Sequence, residues 1–465
     1  MSVNGPDLVV AGAGGGLAGA LRAAQHGLAV LVVEASEHFR RGNNTSMSTA
    51  MVPGAGSRWQ RDAGLEDSPD RFVADIMAKT HGDADRRLAH ALASVSAELV
   101  EWLADDMGLR LSLVTDFHYP GHSVDRCHTV EGRHGSVLLD GLLTQVRRSD
   151  RIDLLAPARL VDVLLDDTGA VRGAVVERPD GGREEIATRH VLLATNGYGA
   201  DRAMVERHLP EIAAGAYHGS ETSRGDALRI GLELGAASAC LDAYQGHAAL
   251  AAGSATLVGW ATVMHGALLL DLTGRRFGDE TRGYSEYAAE LAARPEATGW
   301  LVLDRRIHDA CLSFTDFRQT VESGSLLWAG DVAGLAELTG LPEEHVSHEL
   351  RTAEATARGE VSVRFGRTQF EAPLAPPYAA VRVIPALFHT QGGLVVDQHA
   401  RVVRADDVAI PGLYASGGAA CSISGHGAAG YLAGNGLLPA LGLAYLAADH
   451  VADHAETTDP SSRRR

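Results

Sequence analysis

Near the amino terminus the chain reads Asp7-Leu8-Val9-Val10-Ala11-Gly12-Ala13-Gly14-Gly15-Gly16, then an Ala- and Leu-rich stretch to His26 and Gly27, then Leu28-Ala29-Val30-Leu31-Val32-Val33-Glu34. The first apolar run predicts a buried parallel strand over 7–11. Residues 17–26 predict a helix closed by Gly27 as its C-cap. Residues 28–33 predict a second strand, with Glu34 just past it. Strand, glycine turn, helix, strand and acidic residue in this order form the βαβ dinucleotide fingerprint. The turn brings backbone N–H groups and the positive helix end to a pyrophosphate, and Glu34 accepts from ribose hydroxyls. Two glycine registers fit. Gly14-Gly15-Gly16-Leu17-Ala18-Gly19 matches Gly-x-Gly-x-x-Gly literally. Gly16 as the third glycine instead gives normal distances to Gly27 and Glu34, with Ala11 and Ala13 in the first two places.

Composition agrees with such a fold. The chain has 465 residues, 53 of them Gly and 45% hydrophobic, against an average of about 7% Gly. It is neither collagen-like nor a disordered polar chain. The length suits two or three domains, or one α/β unit with an insertion, and a core able to enclose a large ligand. A net charge of -18 argues against nucleic-acid or anionic-membrane partners. Lys79 is the only lysine, so the other 40 of the 41 cationic residues are Arg, and a lone Arg says little about function. Cys127, Cys240, Cys311 and Cys421 stand far apart in sequence and read as single reduced thiols of a cytoplasmic protein, with no metal site. No signal peptide or membrane span is expected, and residues 456–465 read as a disordered tail.

Arg41-Gly42-Asn43-Asn44-Thr45-Ser46-Met47-Ser48-Thr49 is small, polar and hydroxyl-rich. Asn44, Thr45, Ser48 and Thr49 there could give hydroxyls and amides to a pyrophosphate. With the fingerprint, this run resembles the flavoprotein family of fumarate reductase, succinate dehydrogenase, aspartate oxidase and 3-ketosteroid dehydrogenase. Five later stretches carry the resemblance over nearly the whole chain. Val191-Leu192-Leu193-Ala194-Thr195-Asn196-Gly197 resembles the strand and turn that return to the FAD. Gly225-Asp226 through Gln245-Gly246-His247 resembles the stretch ending in Gln-Phe-His-Pro-Thr, and Gly274-Arg275-Arg276-Phe277-Gly278-Asp279-Glu280 resembles Gly-x-Arg-Phe-x-Asn-Glu. Phe388-His389-Thr390-Gln391-Gly392-Gly393 is similar to His-His-Thr-Met-Gly-Gly. Gly412 to Gly417 and Gly434-Asn435-Gly436-Leu437-Leu438 resemble the C-terminal flavin-binding run.

The resemblance implies an α/β fold. A Rossmann-like FAD-binding domain of the glutathione-reductase type would comprise 1–243 and 379–455, with an inserted α+β capping domain over 244–378. An amphipathic helix is predicted over 343–358. FAD would be held by Gly12, Ala13, Gly14, Gly15 and Gly16, by Glu34 and Ala35, and by the Asn44, Thr45, Ser48 and Thr49 loop. Later contacts would come from Thr195, Asn196 and Gly197, from His389, and from Gly436, Leu437 and Leu438. Gly418 stands where relatives often carry Glu or Asn near the flavin. Asn44 also stands where the respiratory members carry the His of covalent attachment, so the FAD is expected to be noncovalent.

Fumarate reductases bind a dicarboxylate with paired Arg and His. Here the expected charged positions hold Tyr284, four residues past Glu280, Tyr431 after His426-Gly427-Ala428-Ala429-Gly430, and Phe388. Only His247 remains, with Arg282 nearby but out of register. The pattern resembles the 3-ketosteroid dehydrogenase branch, where a Tyr acts as base and a C-terminal Tyr binds the carbonyl. It implies α,β-desaturation of a ketone or cyclic keto-acid, with hydride passing to flavin N5. A Tyr base needs a pKa below its usual value of about 10 or a partner, for which Arg282 or His247 is available. Tyr119 and Arg126 sit in a His-rich run, Tyr119 to His128, that resembles an aspartate oxidase segment. If that run contacts substrate, Arg126 would hold a carboxylate. Tyr119, Arg126, Phe388 and His426 are thus candidate substrate contacts. The alternative is fumarate-reductase-like reduction of an activated alkene with Arg282 as proton donor. A non-catalytic flavoprotein would need an open flavin, which the insertion argues against. No haem-attachment Cys-x-x-Cys-His occurs, so an external protein or small molecule must exchange electrons.

Overall fold

A run of four apolar residues with every side chain buried belongs in the middle of a parallel sheet, where both faces are covered. In the computed structural model, which describes residues 5–361, 364–367 and 370–458, Leu8–Ala11 takes that place. It pairs in parallel with Val30–Val33 on one side and Val191–Leu193 on the other. From one edge the six-stranded sheet runs Arg401–Val403, Ala409–Ala415, Val191–Leu193, Leu8–Ala11, Val30–Val33, Ile152–Leu155. All pairings are parallel except the Arg401–Val403 edge. The sheet therefore joins segments from both ends of the chain.

Helix Gly16–Gln25 packs beneath this sheet against the C-terminal helix Leu437–Thr458. That helix runs through 456–458, which corrects the expected start of a disordered tail; residues 459–465 lie outside the described residues. No helix among the described residues is long and apolar enough to cross a membrane.

A second six-stranded sheet gathers on the long strand Tyr378–Thr390. Tyr244–Ala251, Gly299–Asp304 and Leu327–Ala329 pair with it in antiparallel fashion, and Leu268–Leu270 extends the edge. The sheet spans the expected insertion and reaches beyond it, to Ala216–Tyr217 before and Thr390 after. The expected amphipathic helix is present as Glu343–Ala357.

The Gly-x-Arg-Phe-like motif is an anchor for this unit. Glu280 is fully buried and pairs with two guanidinium groups, accepting from Arg276 Nε at 2.8 Å and facing Arg367 Nη1 at 3.4 Å. Its own carbonyl takes the Trp260 indole N–H at 3.0 Å. Two positive partners compensate the desolvation of one carboxylate. They fix the short turn Glu280–Arg282, which delivers helix Tyr284–Ala292 and its first side chain.

Candidate active site

One continuous cavity, with about 1790 Å³ of empty space partly open to solvent, runs from Glu34 to Tyr284. Its first half is walled by backbone. Gly12 has φ +117°, and a Cβ on it would lie 2.3 Å from the Ala194 carbonyl oxygen, so only Gly makes this turn. A Cβ on Gly16 would lie 2.8 Å from Val10 Cγ1 and 2.9 Å from Ala194 Cβ. Gly16 thus performs the helix-to-strand packing of the third glycine. Gly19 instead meets the Ala444 carbonyl of the C-terminal helix. This geometry favours the register with Gly16 in the third place, in which Ala11, the last residue of the strand, and Ala13 take the first two.

Glu34 is buried, and burial raises its pKa. Its carboxylate accepts the Ala13 N–H at 2.8 Å and the Ser36 N–H at 2.9 Å. Ala13 therefore spends its N–H on Glu34 and does not line the cavity. Gly14, Gly15, Ala35, Thr45, Ser48 and Thr49 do line it. Asn44 lines it too, while its side chain braces the loop, donating to the Phe388 carbonyl at 2.9 Å and accepting the Ser220 N–H at 2.8 Å. Thr195, Asn196, His389, Gly418, Gly436 and Leu437 complete this half. Gly197 and Leu438 pack behind it; a Cβ on Gly197 would strike Thr390 Oγ1. Thr195 Oγ1 and Ser416 Oγ are buried against the cavity without a protein partner. A glycine-lined trough with orphaned hydroxyls fits a bound polar group of FAD's kind.

The second half is walled by aromatic side chains. His247 is buried and stacked between Tyr284 (centroids 5.0 Å, 26°) and Phe388 (5.3 Å, 16°), with Trp260 edge-on at 5.8 Å. Its Nδ1 accepts the Ala249 N–H at 3.0 Å, so its proton sits on Nε2. Burial lowers its pKa to about 3, keeping the ring neutral. Burial likewise lowers His389 to about 4. Tyr284 and Tyr431 meet edge to face at 5.8 Å, close enough for their hydroxyls to influence each other, and Tyr431 Oη accepts the Gly436 N–H at 3.2 Å. Burial raises the pKa of Tyr284, Tyr431 and Tyr119 alike. Of the two conditions for a Tyr base, a lowered pKa or a partner, the first is not met, because desolvation outweighs the Arg133 charge near Tyr119.

Three expected site residues lie elsewhere. Arg126 is buried outside the cavity, closed onto Asp67 (2.9 Å), Asp75 (2.6 Å) and His122 (3.0 Å), so it braces the Tyr119 loop and cannot hold a substrate carboxylate. Arg282 is exposed and lies outside the main cavity, on a small adjoining pocket that it lines with Lys79, Tyr284 and Tyr431; its carbonyl accepts from Lys79. His426 is 58% exposed and pairs with Asp242 at 2.7 Å. Its Nε2 lies 3.9 Å from Cys240, whose pKa is lowered to about 7 by the nearby Cys421 thiol and by His426. These two cysteines, read as separate from sequence, are neighbours in the fold. Leu257, Val258, Trp260, Phe314, Asp316 and Phe317 line the chamber unanticipated, since no local motif marks them.

The chain belongs to the FAD binding domain family, which matches residues 7–437, and it is an FAD-dependent oxidoreductase. It is 26% identical over 452 residues to the probable fumarate reductase Ifc3 of Shewanella frigidimarina, covering 96% of this chain and 75% of that protein. The open conformation of a flavocytochrome c3 fumarate reductase superposes with a TM-score of 0.80 at 26% identity, over 97% of this chain and 78% of that one. The 3-ketosteroid delta1-dehydrogenase of Sterolibacterium denitrificans, solved with 1,4-androstadiene-3,17-dione, gives a TM-score of 0.78 at 21% identity, over 97% and 99%. The second likeness is one of fold.

Proposed function

We propose that the protein desaturates an uncharged ketone next to its carbonyl. Residues 1–243 and 379–455 would act as the FAD-binding domain of glutathione-reductase type and 244–378 as the cap. The observation that carries this reading is the charge of the cavity wall. Among the described residues its only Arg or Lys is Arg159, which pairs with Asp226 at 2.7 Å on the nucleotide side. Arg133, behind Phe314, pairs with Asp116 at 2.8 Å. A dicarboxylate or keto-acid would enter the chamber without the charge-assisted partner that its desolvation requires. A ketone oxygen needs only neutral donors, which the Tyr284, Tyr431 and Tyr119 hydroxyls and His247 Nε2–H supply.

The raised tyrosine pKa values favour a neutral relay over a free phenolate. Tyr284 takes a proton from the carbon beside the carbonyl as its own hydroxyl proton passes to Tyr431. Tyr431 in turn gives its proton to the carbonyl oxygen. The substrate becomes its enol, and as the neighbouring carbon gives up its hydride the enol O–H proton passes back through Tyr431 toward solvent, leaving the neutral enone. His247, stacked on Tyr284, holds that ring in place and presents its N–H to the cavity. When bound, FAD supplies a hydride acceptor for the neighbouring carbon. The electrons leave afterwards to an external acceptor.

Anaerobic mixing of the FAD-loaded enzyme with a panel of cyclic ketones, keto-acids and dicarboxylates tests the reading. Neutral ketones should bleach the flavin and keto-acids should react at least tenfold more slowly. Reaction of only the reduced enzyme, and only with fumarate-type alkenes, would favour the alkene-reductase alternative instead. The engaged Asn44 side chain supports noncovalent FAD, so acid precipitation should release the yellow cofactor.

A further inference from the structure

Asp316, in helix Thr315–Glu322, lines the same cavity as the tyrosines. Its side chain is 13% exposed. One oxygen, Oδ2, is buried with no hydrogen-bond partner. The other, Oδ1, faces only His134 Nε2, at a loose 3.6 Å. His134 Nδ1 accepts the Ser136 N–H at 3.3 Å and lies 2.7 Å from the Ser136 hydroxyl, so the imidazole proton points at Asp316. A buried carboxyl oxygen without a partner is costly. Here that oxygen borders the space a ligand enters.

A chain of aromatic rings separates it from Tyr284 and Tyr431. Tyr119, which interacts with Tyr284 and Tyr431, touches Phe117 at 4.7 Å, and Phe117 in turn meets Phe314 at 5.9 Å. Asp316 follows Phe314 by two residues, with Phe317 beside it. A ligand with its carbonyl between Tyr284 and Tyr431 would have to extend past these rings to reach it.

We propose that Asp316 recognises the remote end of the substrate, and that this end carries a hydrogen-bond donor, a hydroxyl or an ammonium group. Burial raises the Asp316 pKa to about 7, which accords with a carboxyl that lacks a donor until one arrives with the ligand. The chamber would then be neutral at the reacting end and acidic at the far end, selecting both the substrate and its direction of entry. This inference rests on the ketone reading of the Tyr284 end.

The test titrates FAD-loaded enzyme with cyclic ketones of one skeleton whose remote position bears a hydroxyl, an ammonium or hydrogen, followed by the change in flavin absorbance. The donor-bearing members should bind about tenfold or more tightly than the hydrogen analogue. Asp316→Leu should erase that preference, so that donor-bearing and hydrogen analogues no longer differ. Asp316→Asn should keep a hydroxyl preference and lose an ammonium one, which separates the two donors and serves if the Leu variant does not fold. Equal binding of all three ketones, or a preference that survives both substitutions, overturns the inference and leaves the ketone reading standing. If no ketone perturbs the flavin, the ketone reading fails and takes this inference with it.

Discussion

The two halves of one cavity are built from different materials. Around Glu34 the wall is main chain: a turn between Gly12 and Gly16, the Asn44–Thr49 loop, and strand ends from both chain termini. Around Tyr284 it is side chain: Tyr119, His247, Trp260, Tyr284, Phe314, Phe388 and Tyr431, from segments hundreds of residues apart. A backbone wall binds what is common to many ligands, because every residue has the same N–H and C=O. A side-chain wall is open to variation, so substrate choice resides there.

Acidification should produce the largest effect and separate the halves most clearly. Burial depresses His247 and His122 to about 3, and His389 and His128 to about 4. Their native forms bind fewer protons than the unfolded chain below pH 6.5, so stability present above that pH is lost as pH falls toward 4. Each contributes about 1.4 kcal/mol per pH unit, or roughly 10 kcal/mol for the four over two units. Glu34 has the opposite sign, since its raised pKa favours the folded state at low pH. Thermal unfolding from pH 7 to 4.5 should show a steep fall in Tm; a flat profile would contradict the burial of the neutral imidazoles.

Next comes Gly12→Ala. Left-handed strain and the clash with the Ala194 carbonyl should cost about 4 kcal/mol, roughly a thousandfold in FAD affinity. Equilibrium dialysis against free FAD measures it, and retention within tenfold of the parent would show that the turn can relax. Tyr284→Phe should do the reverse, leaving FAD affinity unchanged and slowing flavin reduction by roughly two or more orders of magnitude. Near-parental reduction would remove the hydroxyl from the relay. The smallest effect belongs to Arg282→Ala, where turnover should stay within about twofold; a loss of tenfold or more would restore Arg282 as proton donor.

Sequence and structure agree best where the physics is local. Strand, turn, helix and strand over 7–34 follow from adjacent residues, and the hydroxyl-rich loop lies where its composition suggests. Even there the sequence left two glycine registers open, since what Gly16 touches is decided by Val10 and the distant Ala194. The chamber was legible only in part. Tyr284, Tyr431 and His247 converge because motif order reflects the fold. Motif adjacency does not say which way a side chain points, however, and Arg126, Arg282 and His426 sit beside motifs yet face elsewhere. Asp316 carries no local mark at all; its significance lies in the partner it lacks.

The central strand Leu8–Ala11 is synthesised about 400 residues before the last strand of its sheet. Ala409–Ala415 must join two places away, and helix Leu437–Thr458 must cover Gly16–Gln25. At roughly 5–20 residues per second, about 400 residues of translation keep Leu8, Val9 and Val10 waiting for roughly 20–80 s. During that interval an apolar strand has no finished sheet to occupy. Such long-range closure makes for slow folding and exposure to aggregation, so yield in a recombinant host should respond to temperature and chaperone supply more than to FAD in the medium.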